Sequence, residues 1–82
     1  MSEMSALIFM RITEGVSPLE VSREVAKLKG VVSVMMISGE WDLVIKFEYD
    51  KMQELSDFVV SNLRGIKGVG KTDTSIILSE VK

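Results

Sequence analysis

The most recognisable chemical spacing in the sequence is formed by Gly65, Gly70, Lys71 and Thr72. A glycine, four free positions and then glycine, lysine and threonine is the pattern of a phosphate-binding loop, whose backbone N–H groups surround a triphosphate. Such a loop follows a strand and opens a helix, because the helix N-terminus supplies the partial positive charge that holds phosphate. In this chain a helical repeat of apolar residues precedes the loop, and a run of strand-forming residues follows it. The order is reversed, so we interpret the match as accidental.

The sequence offers few side chains for catalysis. It contains no cysteine and no histidine, which removes disulfides, thiolate nucleophiles, the usual general base and the commonest metal ligand. The remaining acid–base candidates are Asp42, Glu40, Glu14 and Tyr49, and none of them stands beside a sequence partner that would tune it. We therefore predict a protein that is not an enzyme and that uses no cofactor or metal.

Charge is balanced and dispersed along the chain. Ten basic and twelve acidic residues give a net charge of −2. Because no basic stripe is available to displace counterions from phosphates, direct binding of nucleic acid is not expected. The longest apolar run, residues 6–10, is far too short to cross a membrane, and the first residues lack the basic start of a signal peptide. These features favour a cytoplasmic protein with no membrane partner.

Apolar periodicity predicts six secondary-structure elements in a single domain, residues 1–82. The predicted strands are residues 5–12, 31–38, 41–48 and 72–81. The first predicted helix begins after the N-cap Ser17 and is ended by Gly30. The second runs from residue 51 to about residue 64 and is stopped by Gly65. The order strand, helix, strand, strand, helix, strand predicts an α+β, ferredoxin-like βαββαβ fold, in which an antiparallel four-stranded sheet carries two helices on one face.

Spacing also assigns particular side chains to the core. Val32, Val34 and Met36 are predicted to share one face of the second strand. The second helix is predicted to begin with Asp50 as its N-cap and to carry Gln53 at the capping-box position. Its predicted buried residues are Met52, Leu55, Phe58, Val59 and Leu63.

The first three predicted strands carry large apolar side chains on both faces, although two helices cover only one face of a four-stranded sheet. The uncovered face must be buried against something else, and a second copy of the same sheet is the simplest solution. We therefore predict a homodimer, in which two sheets form a dimeric α/β barrel. The alternative is a monomer with scattered surface hydrophobic residues.

Two segments of the sequence resemble the effector domain of the Lrp/AsnC family of transcription regulators. Residues 39–43, Gly-Glu-Trp-Asp-Leu, are similar to its turn of glycine, any residue, aromatic, aspartate and hydrophobic residue. Residues 68–78 are similar to its closing Gly-Val, spaced threonines and final strand. The resemblance covers essentially all 82 residues, and the sequence lacks the helix-turn-helix domain of full-length members. The chain therefore resembles a stand-alone effector module, often called the RAM domain.

This resemblance implies a function as well as a fold. It implies dimers that pair through their sheets and associate further, commonly into octamers. It also implies an amino-acid effector bound between subunits, and a role in transcription regulation exerted on full-length Lrp/AsnC regulators, since the DNA-recognition domain is absent.

Residue by residue, the resemblance places the ligand-binding positions at Gly39, Trp41, Asp42, Gly68, Val69, Thr72 and Thr74. An amino acid presents an ammonium and a carboxylate, which Asp42 and the donors around Gly68, Thr72 and Thr74 would complement. Structural alternatives remain open for each position. Asp42 could cap the hairpin, the glycines could serve backbone turns, Trp41 could anchor an interface, and threonine is favoured in strands.

The chain departs from the family pattern where many relatives have a proline, because Lys67 stands there, and Lys71 adds a further charge. The identity of the amino acid is therefore left open. Two functional alternatives also remain. One is a small dimeric ferredoxin-like enzyme of the oxygenase or isomerase type, and the other is an oligomerisation platform that binds no ligand.

Overall fold

A four-stranded antiparallel sheet and two helical segments make up the computed structural model, which describes residues 4–82. The strands are β1 (Met4–Ile12), β2 (Val31–Met36), β3 (Leu43–Tyr49) and β4 (Val69–Ile76). The helices are α1 (Pro18–Ala26) and α2 (Met52–Asp57), and α2 continues directly into a π-helical turn, Phe58–Asn62. This element order confirms the predicted ferredoxin-like fold. No helix within the described residues is long and apolar enough to cross a membrane.

β1 and β3 occupy the centre of the sheet, whose strand order is β2-β3-β1-β4. The pairing of β1 with β3 runs from Met4 opposite Tyr49 to Met10 opposite Leu43. On its other side β1 pairs with β4, and this ladder shifts register between Met10 and Ile12. The end of β1 is therefore flanked by the beginnings of both β3 and β4.

The core lies between the sheet and the helices, and its composition follows from the alternation of side chains along a strand. Ala6, Ile8 and Met10 of β1 have 0% exposure, whereas the residues between them are half-buried on the other face. The other members of this buried cluster are Val21, Val25, Leu43, Ile45, Phe47, Tyr49, Leu55, Phe58 and Leu63. Phe47 stacks on Phe58 with ring centroids 4.0 Å apart, which holds the π-helical turn against β3.

The second face of the sheet carries apolar side chains that the helices do not cover. Leu7 and Phe9 are half-buried there, and Val44 is opposite Phe9 in the pairing of β1 with β3. Met35, opposite Val44, is 49% exposed. We call this surface, formed by Leu7, Phe9, Met35 and Val44, the open face. It confirms that the first three strands are apolar on both faces.

The first helix starts where expected but ends earlier than predicted. Ser17 Oγ accepts a hydrogen bond from the Glu20 N–H at 3.3 Å, which confirms Ser17 as the N-cap. α1 ends at Ala26, because the next residues form tighter bonds to the third residue before them and the chain then turns towards β2. The second helical segment ends at Asn62, two residues before the predicted end near Arg64.

β4 was predicted at residues 72–81, but it begins at Val69 and ends at Ile76. Its beginning is set by pairing with β1, where Val69 is opposite Ile12. This tertiary contact draws the glycine-rich residues into the strand. Gly70 suits that position, because a Cβ there would lie 2.8 Å from the Arg11 carbonyl oxygen.

A bulge in β2 moves Val32 off the face predicted for it. Val31 pairs with Phe47 and Ser33 pairs with Lys46, so Val32 has no partner in the ladder and is 53% exposed. Val31 packs against the core in its place. On one side of a bulge, the extra residue makes each side chain point to the face opposite to the one that strict alternation predicts. The position of the bulge is not evident from the alternation of residues in the sequence.

The start of α2 also differs from the prediction. Glu54 Oε1 accepts hydrogen bonds from the N–H groups of Asp50 and Lys51, both at 2.8 Å, so Glu54 rather than Gln53 fills the capping position. These bonds favour the charged carboxylate and lower the pKa of Glu54 below its ordinary value. Met52, which was predicted to be buried, is 53% exposed, and Leu55 is the buried residue of α2.

Replacing Gly30 by alanine is expected to destabilise the protein strongly. Gly30 has a left-handed φ of 91°, and a Cβ would lie 2.5 Å from Phe47 Cε1 and 3.0 Å from the Glu48 carbonyl oxygen. Backbone strain and overpacking together predict a loss of about 3 kcal/mol. Gly15 has a similar φ of 88° with no atom near its Cβ position, so Gly15→Ala should cost only about 1 kcal/mol. Urea unfolding of both variants measures the difference, and equal losses would contradict the steric account.

Acid is expected to weaken the start of α2 through Glu54. Because the pKa of this carboxyl is lowered in the folded state, its contribution to stability is fully present above the ordinary pKa of glutamate. That contribution is lost as the pH falls through the lowered value. Glu54→Gln should therefore flatten the acid side of the stability curve, as measured by thermal unfolding at a series of pH values. Glu14→Gln is the control for the loss of one exposed carboxylate, and an equal change in both variants would contradict the assignment.

Candidate functional site

The two segments that contain the predicted site residues meet at one end of the sheet, on either side of the end of β1. On one side, the Asp42 N–H donates to the Met10 carbonyl oxygen at 2.9 Å. On the other side, the Thr13 N–H donates to the Gly68 carbonyl oxygen at 2.8 Å. Residues 39–42 and residues 68–72 are thus adjacent in the fold although they are distant in the sequence.

The Asp42 carboxylate completes the hydrogen bonding of β1. Its Oδ2 accepts from the Ile12 N–H at 2.7 Å in a partly buried position. The β1–β3 ladder ends at Met10 opposite Leu43, so the side chain supplies an acceptor beyond the last backbone pair. Asp42 therefore has a structural role, although it bonds the neighbouring strand rather than its own hairpin. One carboxylate oxygen remains for a ligand, because a carboxylate accepts through both of its oxygens.

Two cationic side chains lie near the Trp41 ring. Its ring packs against Phe9 of the open face, with ring centroids 6.2 Å apart. The Arg11 guanidinium carbon is 5.7 Å from the Trp41 ring centroid, and Lys71 Nζ is 5.9 Å from it. Both distances are within the range of cation–π attraction. Lys71, which the sequence identified as an added charge, therefore lies over the Trp41 ring.

Thr72 and Thr74 lie on the face of the sheet that the helices cover. They are opposite Met10 and Ile8, whose side chains are buried beneath the helices. Trp41, in contrast, packs on the open face. The predicted residues therefore surround the end of the sheet from both faces and do not line one shared pocket within a single chain.

The remaining predicted positions differ in conformation and burial. They are Gly39, Gly68 and Val69. Gly39 is exposed in the connection between β2 and β3, with open space around its Cβ position. Gly68 has a φ of 99°, and a Cβ there would lie 2.5 Å from Val16 Cγ1, so both conformation and space require glycine. Val69 is half-buried against the core.

Arg64 is a candidate binding residue that sequence reasoning missed. Its Nη1 donates to the Gly70 carbonyl oxygen at 2.9 Å, and its Nη2 lies 3.4 Å from Thr72 Oγ1. Arg64 follows the π-helical turn by two residues, and its short separation from Gly70 was the only signal for this contact in the sequence. Together with Arg11 and Lys71, it gives the start of β4 a surplus of positive charge.

Two open grooves are lined by other residues. One, of about 960 Å³, runs between α1 and residues 65–67. The other, of about 490 Å³, lies beside the end of β3. Within residues 4–82, no group of three or more acidic side chains is arranged to hold a metal ion. The predicted site residues therefore form a charged surface at the end of the sheet, and a single chain does not enclose it.

Comparison with known proteins connects this fold to a domain found in larger chains. A family model described as the Lrp/AsnC ligand binding domain matches residues 5–82. An uncharacterised HTH-type transcriptional regulator of Pyrococcus abyssi is 38% identical over 68 residues, which are 83% of this chain and 45% of the regulator. Homocitrate synthase of Sulfurisphaera tokodaii is 35% identical over 78 residues, which are 95% of this chain and 17% of the synthase. The chain thus spans less than half the length of either relative.

A solved structure shows the same relationship in three dimensions. It is a transcriptional regulator of Neisseria meningitidis in complex with L-Met, which aligns with a TM-score of 0.87 and 28% sequence identity. The alignment covers 96% of this chain and 52% of the regulator.

The Asp42 carboxylate is expected to stabilise the end of β1. Asp42→Ala leaves the partly buried Ile12 N–H without its acceptor, which should cost about 1–3 kcal/mol. Asp42→Asn retains an acceptor oxygen and should lose less. Hydrogen exchange of the Ile12 amide and urea unfolding measure the effect. Asp73→Ala, which removes the same charge from an exposed position, is the control, and equal losses would contradict a specific bond.

Proposed function

Because the chain belongs to the Lrp/AsnC ligand-binding domain family, we propose that it is an amino-acid-binding regulatory module that assembles as a homo-oligomer. One observation carries this proposal: essentially the same region matches both an HTH-type regulator and a homocitrate synthase. These two proteins share neither DNA recognition nor catalysis, so the common activity resides in the module itself. Ligand binding by this module could regulate DNA recognition in the HTH-type regulator and catalysis in the homocitrate synthase. A small enzyme of the oxygenase or isomerase type has no comparable support.

An amino acid is the ligand class that the cationic end of the sheet suits. The Neisseria meningitidis regulator was crystallised with L-Met, a free amino acid. In this chain, Arg64 and Lys71 offer charge-assisted donors for a carboxylate. The free oxygen of Asp42 offers an acceptor for an ammonium. Opposite charges at one edge of the sheet thus match the two charged groups of an amino acid.

Binding between subunits follows from the separation of these groups. Trp41 lies on the open face, whereas Thr72 and Thr74 lie on the helix-covered face, so one chain leaves the proposed site incomplete. A neighbouring copy packed at this edge would enclose the ligand and exclude water from it. We include Gly39, Gly68 and Val69 in this proposed site as the backbone that shapes it.

The open face supports a homodimer as the basic unit of assembly. Phe9, Val44 and Met35 form a contiguous apolar surface on a sheet that the helices do not cover. Two copies packed face to face would bury this surface in a dimeric α/β barrel. Further association of dimers, up to an octamer, would supply the neighbouring copies at the sheet edge. A ligand that binds one assembly more tightly than another would then shift the assembly equilibrium. Full-length Lrp/AsnC regulators that take part in the assembly would be shifted with it.

Trp41 provides a direct test, because it is the only tryptophan in the chain and lies in the proposed site. Titrating the protein with each of the twenty amino acids should change Trp41 fluorescence saturably for one or a few of them. Lys71→Gln should weaken binding about tenfold, the equivalent of 1.4 kcal/mol. Lys29→Gln, which removes the same charge at the opposite end of the sheet, should leave binding unchanged.

Calorimetry and mass measurement complete the test. The binding heat should follow the fluorescence change, and the oligomer mass should differ with and without the amino acid. An intact oligomer that gives no heat and no fluorescence change with any amino acid would refute effector binding. A mass that ignores a bound ligand would refute regulation through assembly and favour the ligand-free platform.

A further inference from the structure

The segment that follows β4 turns towards the open face. We call residues 77–82 the arm, and they lie outside the regular secondary structure. The Ile77 N–H donates to the Ser5 carbonyl oxygen of β1 at 2.9 Å, so the arm begins alongside the central strand. Further along, Glu80 Oε1 lies 3.7 Å from Lys46 Nζ of β3. Because β1 separates β4 from β3 in the sheet, this ion pair links the arm to a strand beyond its own neighbour.

The side chain of Lys46 belongs to the open face. Its neighbours along β3, Ile45 and Phe47, are buried in the core, so the alternation of side chains along a strand directs Lys46 to the other side. Lys46 is opposite Leu7, one of the residues that define the open face. The arm is therefore held on the side of the sheet that the helices do not cover.

The contact with Lys46 leaves the apolar side chains of the arm in water. Leu78 and Val81 are each 95% exposed. The ion pair is itself mostly exposed at Glu80, and exposed pairs contribute little to stability. Single exposed apolar residues are ordinary, but these two lie on a segment that already contacts an uncovered apolar face. A second surface is needed to bury them.

We propose that the arm exchanges between two copies of the chain, so that Leu78 and Val81 pack between the two sheets and Glu80 pairs with the partner's Lys46. This inference rests on the homodimer proposed above and specifies a contact that joins its two sheets. A contact that a segment makes within its own chain is available to the same segment of an identical neighbour. Charge complementarity identifies that neighbour as a second copy, because the arm carries the acidic partner of a basic residue on the open face.

Removing the apolar side chains of the arm tests its part in the dimer. Leu78→Ser combined with Val81→Ser should weaken dimerisation at least tenfold, as measured by sedimentation velocity over a dilution series. Leu19→Ser combined with Val60→Ser removes the same two residue types from exposed positions on the helical segments, and should leave the dimer affinity unchanged. Circular dichroism of both double variants checks that the fold is retained.

A charge-exchange experiment separates arms that cross between chains from arms that stay on their own chain. Lys46→Glu and Glu80→Lys each create a repulsive pair, whether the arm lies on its own chain or on an identical partner. When the two variants are mixed, exchanged arms meet the opposite charge at both contacts. Heterodimers should therefore form in excess of the statistical proportion, as measured by native mass spectrometry with one variant isotope-labelled.

The matched control uses the exposed ion pair on the other side of the molecule, between Glu24 and Lys27 at the end of α1. Lys27→Glu and Glu24→Lys change the net charges of the two chains in the same way as the arm variants. Their mixture should show no such excess of heterodimers, because this pair lies away from the open face.

Three outcomes would overturn the proposal, and they are distinguishable. A wild-type protein that sediments as a monomer at every concentration would remove the homodimer and the arm exchange with it. A wild-type dimer whose affinity survives the loss of both apolar side chains would remove the arm from the interface and leave the homodimer standing. Mixing of the arm variants no different from that of the α1 variants would show that each arm stays on its own chain.

Discussion

The structure depends on β1 being paired along both edges. A central strand must have a partner for every buried N–H and C=O group, and at the end of β1 the two ladders stop at different residues. The Asp42 carboxylate satisfies the Ile12 N–H beyond the last β1–β3 pair, and the Gly68 carbonyl oxygen satisfies the Thr13 N–H on the other side. These two bonds bring the β2–β3 connection and the start of β4 to the same place. The hydrogen bonds that the backbone of β1 needs thereby bring the candidate ligand-binding residues together.

The order and faces of the elements were predictable because they depend on local periodicity. Alternation along β1 identified both its buried and its open face, and Ser17 identified the start of α1. The errors arose where distant contacts decide. The bulge at Val32, the early start of β4 and the capping of α2 by Glu54 each depend on a partner that is not evident from sequence spacing. Of the candidate site, the two segments were predictable, but their division between the faces and the contribution of Arg64 were not.

The two ends of the sheet differ in charge. Arg11, Arg64 and Lys71 surround the start of β4, whereas acidic side chains surround the end of β3. Electrostatic attraction between exposed charges falls off over about 10 Å in ordinary salt, so the charges at one end of the sheet act little on a group at the other end. A domain of one sheet and two helical segments thus presents two chemically distinct edges.

The π-helical turn determines which side chains face the sheet after Phe58. In an α-helix, a residue five positions later lies about 140° round the axis, but the Leu63 N–H bonds the Phe58 carbonyl oxygen and both side chains are buried. The wider turn therefore accommodates one residue more than an α-helix would, in the manner of an insertion retained without loss of the core. Arg64 directly follows Leu63, and its guanidinium bonds the Gly70 carbonyl oxygen of β4. In a relative with a regular α-helix here, a different residue would take the place of Arg64 beside β4. A one-residue change in the length of this turn would therefore change the side chains at the candidate site, and such domains can diverge in ligand preference by this means.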